Sequence, residues 1–138
     1  MKILSRCVIV SKPVEDVKNI IKTSAYVLSK PKFVSNNFSI RVRRRYSTRG
    51  LFLFHVKGKI TEDDGNTRVV FEVHEDITMI FSSLFIIAGV VSLLNNILNS
   101  IVGWFYPALM ILIGIFVILD FIQKAKDVLE QLENKLQR

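Results

Sequence analysis

The sequence predicts an α+β membrane protein. Its expected architecture is a small β-α-β-β-β cytoplasmic domain, a two-helix transmembrane hairpin, and a C-terminal amphipathic helix packing on the sheet. Three observations lead there. No Asp, Glu, Lys, Arg or His occurs from Ile77 to Leu119, a run of 43 residues. Apolar and polar residues alternate with a period of two in three stretches before it. A helical stripe of apolar residues follows it.

The first element is the β-rich run Ile3–Val10. Ser11-Lys12-Pro13 then opens a helix. Pro13 suits a first helical position, and Glu15 and Asp16 complement the positive end of the helix dipole. Val14, Val17, Ile20, Ile21 and Leu28 recur at helical spacing, and Pro31 stops the pattern.

Three strands are expected next. Phe38–Tyr46 alternates Phe38, Ile40, Val42 and Tyr46 with Ser39, Arg41, Arg43 and Arg45. Leu51–Ile60 sets Phe52, Phe54 and Val56 on one face. Thr67–Glu75 sets Val69, Phe71 and Val73 on one face and Arg68, Glu72 and His74 on the other. Asp63-Asp64-Gly65-Asn66 is a strong turn signal between the last two.

The charge-free run is too long for one span. A bilayer core of roughly 30 Å needs about 20 helical residues, so 43 residues accommodate two spans and a tight loop. Asn95, Asn96, Asn99 and Ser100 mark the loop, which places the spans at 77–94 and 103–122. In lipid, both must be helical to pair their backbone groups. Trp104 and Tyr106 are expected interface anchors at the start of the second span, and Lys124 and Lys126 at its end. Ala88, Gly89 and Ser92 offer a small-residue face for helix packing. Asp120 is placed to pair with Lys124 four residues later.

The last helix, 123–138, carries Ala125, Leu129, Leu132 and Leu136 at helical spacing, with Lys126, Asp127, Glu130, Glu133 and Lys135 elsewhere. Its stripe fits the sheet, which needs a second helix to complete a two-layer core. The same helix of another subunit is the other candidate. The expected organisation is thus 1–76 as a cytoplasmic domain, 77–122 as the hairpin, and 123–138 completing the domain.

Charge sets the expected topology. Residues 1–76 hold 15 of the 19 Lys and Arg, residues 120–138 hold 4, and the loop holds none. The positive-inside rule puts both termini in the cytoplasm. The single Cys7 excludes an internal disulfide framework and a Cys-rich zinc site, and is expected to be a free thiol.

The opening, a strand followed by Lys12-Pro13-Val14-Glu15-Asp16-Val17, resembles the start of START-like (SRPBCC, polyketide cyclase) helix-grip domains. Val128-Leu129-Glu130-Gln131-Leu132-Glu133 looks like their C-terminal helix. The likeness covers residues 3–28 and 121–136. It implies an antiparallel sheet gripped by that helix around a lipid-like or hydrophobic ligand. The chain departs from the pattern in having fewer strands and a hairpin before the last helix, and no ligand-binding residue is carried over.

The foremost polar feature is the basic run Arg41, Arg43, Arg44, Arg45 and Arg49, with Lys57 and Lys59 near it. Such a face reads first as a solvated surface that also enforces topology, then as a site for anionic lipid headgroups at the inner leaflet, then for an acidic protein partner, with nucleic acid last; a homo-oligomer is a further candidate partner of the chain. His55 and His74 fall on adjacent strands, but no tight metal-ligand spacing accompanies them. No catalytic residue, metal or cofactor is expected. The expected function is a non-enzymatic, membrane-tethered binding or accessory module. The alternatives are a small oligomeric channel or transporter-like protein and a START-like hydrophobic-ligand binder.

Overall fold

The computed structural model describes residues 2–23, 31–43, 52–74, 77–99 and 103–138, with the side chains of residues 43, 52–54 and 77 left undescribed. The chain is α+β, with a five-stranded antiparallel sheet and three helices, two of them long and apolar. It forms two compact units, Met1–Asp76 with Lys124–Arg138, and Ile77–Gln123.

In the first unit, β1 (Lys2–Val10) leads into α1 (Val14–Thr23). The α1 start is secured by Val17 N donating to Pro13 O at 3.2 Å, and Lys18 pairs with Glu15 one turn back. Four strands follow: β2 (Lys32–Val34), β3 (Asn37–Arg43), β4 (Phe52–Asp63) and β5 (Asn66–His74). The spatial order is β1-β5-β4-β3-β2.

The β-α-β-β-β expectation is therefore one strand short. β2 has only three residues, too few to show an alternation, and it pairs with β3 through a two-residue turn in which Ser35 has φ 56°. The β4–β5 turn is the one the Asp-Gly signal marks. Asp63 pairs with Asn66, and both central residues lie at positive φ, Asp64 at 45° and Gly65 at 81°. That combination matches the right-handed twist of the flanking strands.

One face of the sheet is buried. Val8, Val10, Phe38, Ile40, Val42, Val56, Ile60, Val69, Phe71 and Val73 are all in the core. So are Val17 and Ile21 of α1, and Ala125, Leu129, Leu132 and Leu136 of the last helical turns. Arg6 on β1 pairs with Glu133 at 2.9 Å beside this layer. Phe38 forms ring contacts with Phe33 and, edge-on, with Phe71. Its ring occupies the space a side chain at Gly58 would need. Thr67 is buried with its hydroxyl donating to Lys12 O at 2.6 Å, tying β5 to the start of α1.

The second unit is a helical hairpin. α2 (Ile77–Leu98) and α3 (Phe105–Gln137) are long and apolar enough to cross a membrane. α2 extends to Leu98, beyond the expected end at 94, so Asn95 and Asn96 lie in its last turn. Asn96 Nδ2 donates to Gly103 O at 2.9 Å, and Asn99 Nδ2 donates to Asn95 O at 2.9 Å one turn back at the end of α2. α3 runs unbroken through 33 residues, about 50 Å at 1.5 Å per residue, and contributes to both units.

Candidate functional site

The sheet face opposite the core is open to solvent. Strand alternation and register fix what it carries. One cross-strand row runs Arg41, His55, His74, Lys2. The next runs Lys32, Ser39, Lys57, Glu72, Ser5, and the next Val34, Asn37, Lys59, Val70, Cys7. Beyond it lie Thr61, Arg68 and Ile9.

The face is basic by construction. Lys2, Lys32, Arg41, Lys57, Lys59 and Arg68 point outward because the intervening residues are the apolar core set. Glu72 is the carboxylate among these rows, with Asp63 at the β4–β5 tip. Glu72 is engaged: Lys2 Nζ lies 2.9 Å from Oε1, and His74 Nε2 lies 3.6 Å from Oε2. Lys2 above all, and His74 further, hold the Glu72 carboxyl below its ordinary range, while its partial burial works the other way. The separation from His74 is too long for a hydrogen bond, and His74 Nε2 is buried without a hydrogen-bond partner. Arg41 Nε approaches His55 Nε2 at 3.4 Å.

A groove of about 630 Å³ crosses this face over β2 to β5. Lys32, Lys57 and Lys59 stand around it with Asn37, Ser39 and Glu72, and Val34, Phe38, Gly58 and Val70 provide its apolar surface. Among the described residues, none of these three lysines forms an ion pair.

Arg41 and Lys57 are on the open face, on neighbouring strands. Arg43 closes β3, its side chain outside the description, and Arg44, Arg45 and Arg49 lie outside the described residues. Lys32, Asn37 and Ser39 were not selected from sequence; Lys32 belongs to the three-residue strand that periodicity could not show.

In the hairpin, Gly89 is buried, Ser92 half-buried and Ala88 exposed. A Cβ on Gly89 would stand 2.7 Å from Ile111 Cγ1, and one on Gly114 2.5 Å from Ile86 Cγ1 and 2.9 Å from Ser82 O. These two glycines, one on each helix, set the close approach of α2 and α3. Trp104 and Tyr106 are exposed, at 63% and 75%. Lys126 is exposed and Lys124 half-buried.

The described residues contain no cluster of three or more His, Cys, Asp or Glu able to hold a metal ion. Cys7 is an exposed free thiol contacted by Arg68 Nε at 3.1 Å. Fold and face together define an α+β protein with one helix-covered sheet face, one open basic face, and two helices of membrane-spanning length. No family model matches the chain, and no curated protein or solved structure is significantly similar to it.

Proposed function

We propose that the protein is a two-pass integral membrane protein with both termini cytoplasmic. Its α+β unit is a non-enzymatic binding module, and the basic open face meets anionic lipid. Membrane insertion is supported by how little of the apolar helix surface is buried: 11% of the apolar stretch of α2 and 17% of that of α3. A soluble core helix would be mostly covered. Instead Phe81, Leu84, Ile87, Val91, Leu112 and Phe116 are each at least 53% exposed, a surface far more apolar than water tolerates on a monomer.

The observation that carries the binding role is the row pattern of the open face. Cations recur on every strand there, and Glu72 is already occupied by Lys2. Tethering by two spans holds the domain at high effective concentration near headgroups, where each basic residue contributes about 1 kcal/mol. A channel reading lacks comparable support, since the exposed hairpin residues just named are apolar.

The test uses the full chain in nanodiscs of neutral phosphatidylcholine, or of the same lipid doped with phosphatidylserine. Amine acylation of Lys57 and Lys59 is followed by mass spectrometry. Slower labelling in the anionic discs, reversed by salt, supports the reading. Equal labelling in both discs contradicts it.

A further inference from the structure

The groove on the open face is more specific than a diffuse positive surface. Lys57 and Lys59 are two residues apart on one face of β4, roughly 7 Å between backbone positions. Lys32 enters from β2, two strands from β4 and so roughly 10 Å across. Between them, Ser39 stands opposite Lys57 and Asn37 opposite Lys59, each able to donate a hydrogen bond. Three ammonium groups and two neutral donors thus surround one concavity. The nearby carboxylate, Glu72, is neutralised by Lys2.

Lysine ammonium groups are compact charges on flexible stems, without the planar fork that selects a carboxylate. What they match best is a small anion with more than one charge and several acceptor oxygens. A phosphate monoester carries about −1.5 to −2 charge near neutral pH, with three acceptor oxygens. A phosphodiester headgroup linkage carries a single charge. Val34 and Val70 give the groove apolar flanks for the carbon skeleton that bears the phosphate. Phe38 lines the groove but is only 3% exposed, its ring packed against Phe33 and Phe71, so it offers no open ring face for stacking nucleic-acid bases there.

We propose that this groove is a binding site for the phosphate-monoester headgroup of a bilayer lipid, held by Lys32, Lys57 and Lys59 with Asn37 and Ser39. The proposal rests on the membrane-facing reading above and narrows it from charge in general to one headgroup class.

The experiment again uses the full chain in phosphatidylcholine nanodiscs. They are doped with phosphatidylserine, or with phosphatidate adjusted to the same net surface charge. Acylation rates of Lys32, Lys57 and Lys59 are read against Lys126. Phosphatidate is expected to protect the three groove lysines about fivefold more than phosphatidylserine does, with Lys126 unchanged between them. In Lys57→Gln, the excess protection of Lys32 and Lys59 should disappear. Equal protection by the two lipids at matched charge overturns the headgroup site and leaves the general anionic-lipid reading standing. No protection by either lipid overturns both. In neutral discs, glycerol 3-phosphate should protect far less than phosphatidate. Equal protection would assign the groove to a soluble phosphate monoester and overturn the lipid assignment.

Discussion

Lys57 on β4 stands directly opposite Glu72 on β5, yet the Glu72 carboxylate is drawn to Lys2 on the far side, at 2.9 Å. The edge strand β1 thereby neutralises the acid and leaves Lys57 to the groove. Lys2, first of all, holds the Glu72 carboxyl below its ordinary value, with His74 adding to the effect. The pair's contribution to stability is complete above the unfolded value of about 4.3 and is lost as pH falls through the lower folded value. Carboxyl-carbon NMR of the full chain in detergent should show Glu72 titrating below the ordinary glutamate value. Lys2→Ala should raise it; an unmoved titration would remove Lys2 as the cause.

Removing the acid should strengthen anion binding. Glu72→Gln frees Lys2 and deletes the negative charge in the groove. In phosphatidylserine discs, acylation of Lys57 is expected to slow further than in the unmodified chain. Faster labelling would mean that Glu72 orders the lysines instead of opposing the ligand.

Gly58 tests the core beneath the groove. Its missing side chain is the space filled by the Phe38 ring, which also packs on Phe71. Gly58→Ala should destabilise the sheet by about 1–3 kcal/mol through overpacking. Gly58→Ala combined with Phe38→Leu should recover part of the loss. Thermal unfolding followed by circular dichroism in detergent reads both variants, and an Ala variant as stable as the parent would contradict the packing.

The C-terminal helix offers a contrast of two forces. Leu132 is 3% exposed, whereas the Arg6 side chain of the Arg6–Glu133 pair is 45% exposed. Leu132→Ala should cost about 2–5 kcal/mol and Arg6→Ala about 0–1 kcal/mol. Hydrogen exchange of residues 124–137 measures the difference. Similar losses would mean that charge, not apolar burial, holds this helix.

The hairpin depends on two close approaches. Gly89→Leu or Gly114→Leu would drive a side chain into Ile111 or Ile86. Each should lower the thermal aggregation temperature in detergent, while Ala88→Leu, at an exposed position, should not. Equal effects at all three sites would contradict the contact.

Much of this was legible in the sequence because it rests on periodicity and length. The charge-free run showed two long apolar helices, and alternation around Val69, Phe71 and Val73 showed a strand with one buried face. The turn at Asp64-Gly65 was legible because positive φ at two consecutive positions restricts residue choice. β2 was not, since three residues carry no period and Ser35 is an uncommon residue at positive φ. Lys32 was lost with it, although it sits beside Ser39 in the register. The arginine run drew attention by its density, whereas the groove is built by lysines that register, not sequence proximity, brings together. Gly114 was unremarkable in sequence because its role depends on where Ser82 and Ile86 stand.

The chain is expected to cross a membrane twice. Reporter fusions to Met1, Leu98 and Arg138 measure this directly in intact cells. The expected pattern is inside, outside, inside. An outward-facing N-terminus, or a Leu98 fusion facing the same side as both ends, would contradict it.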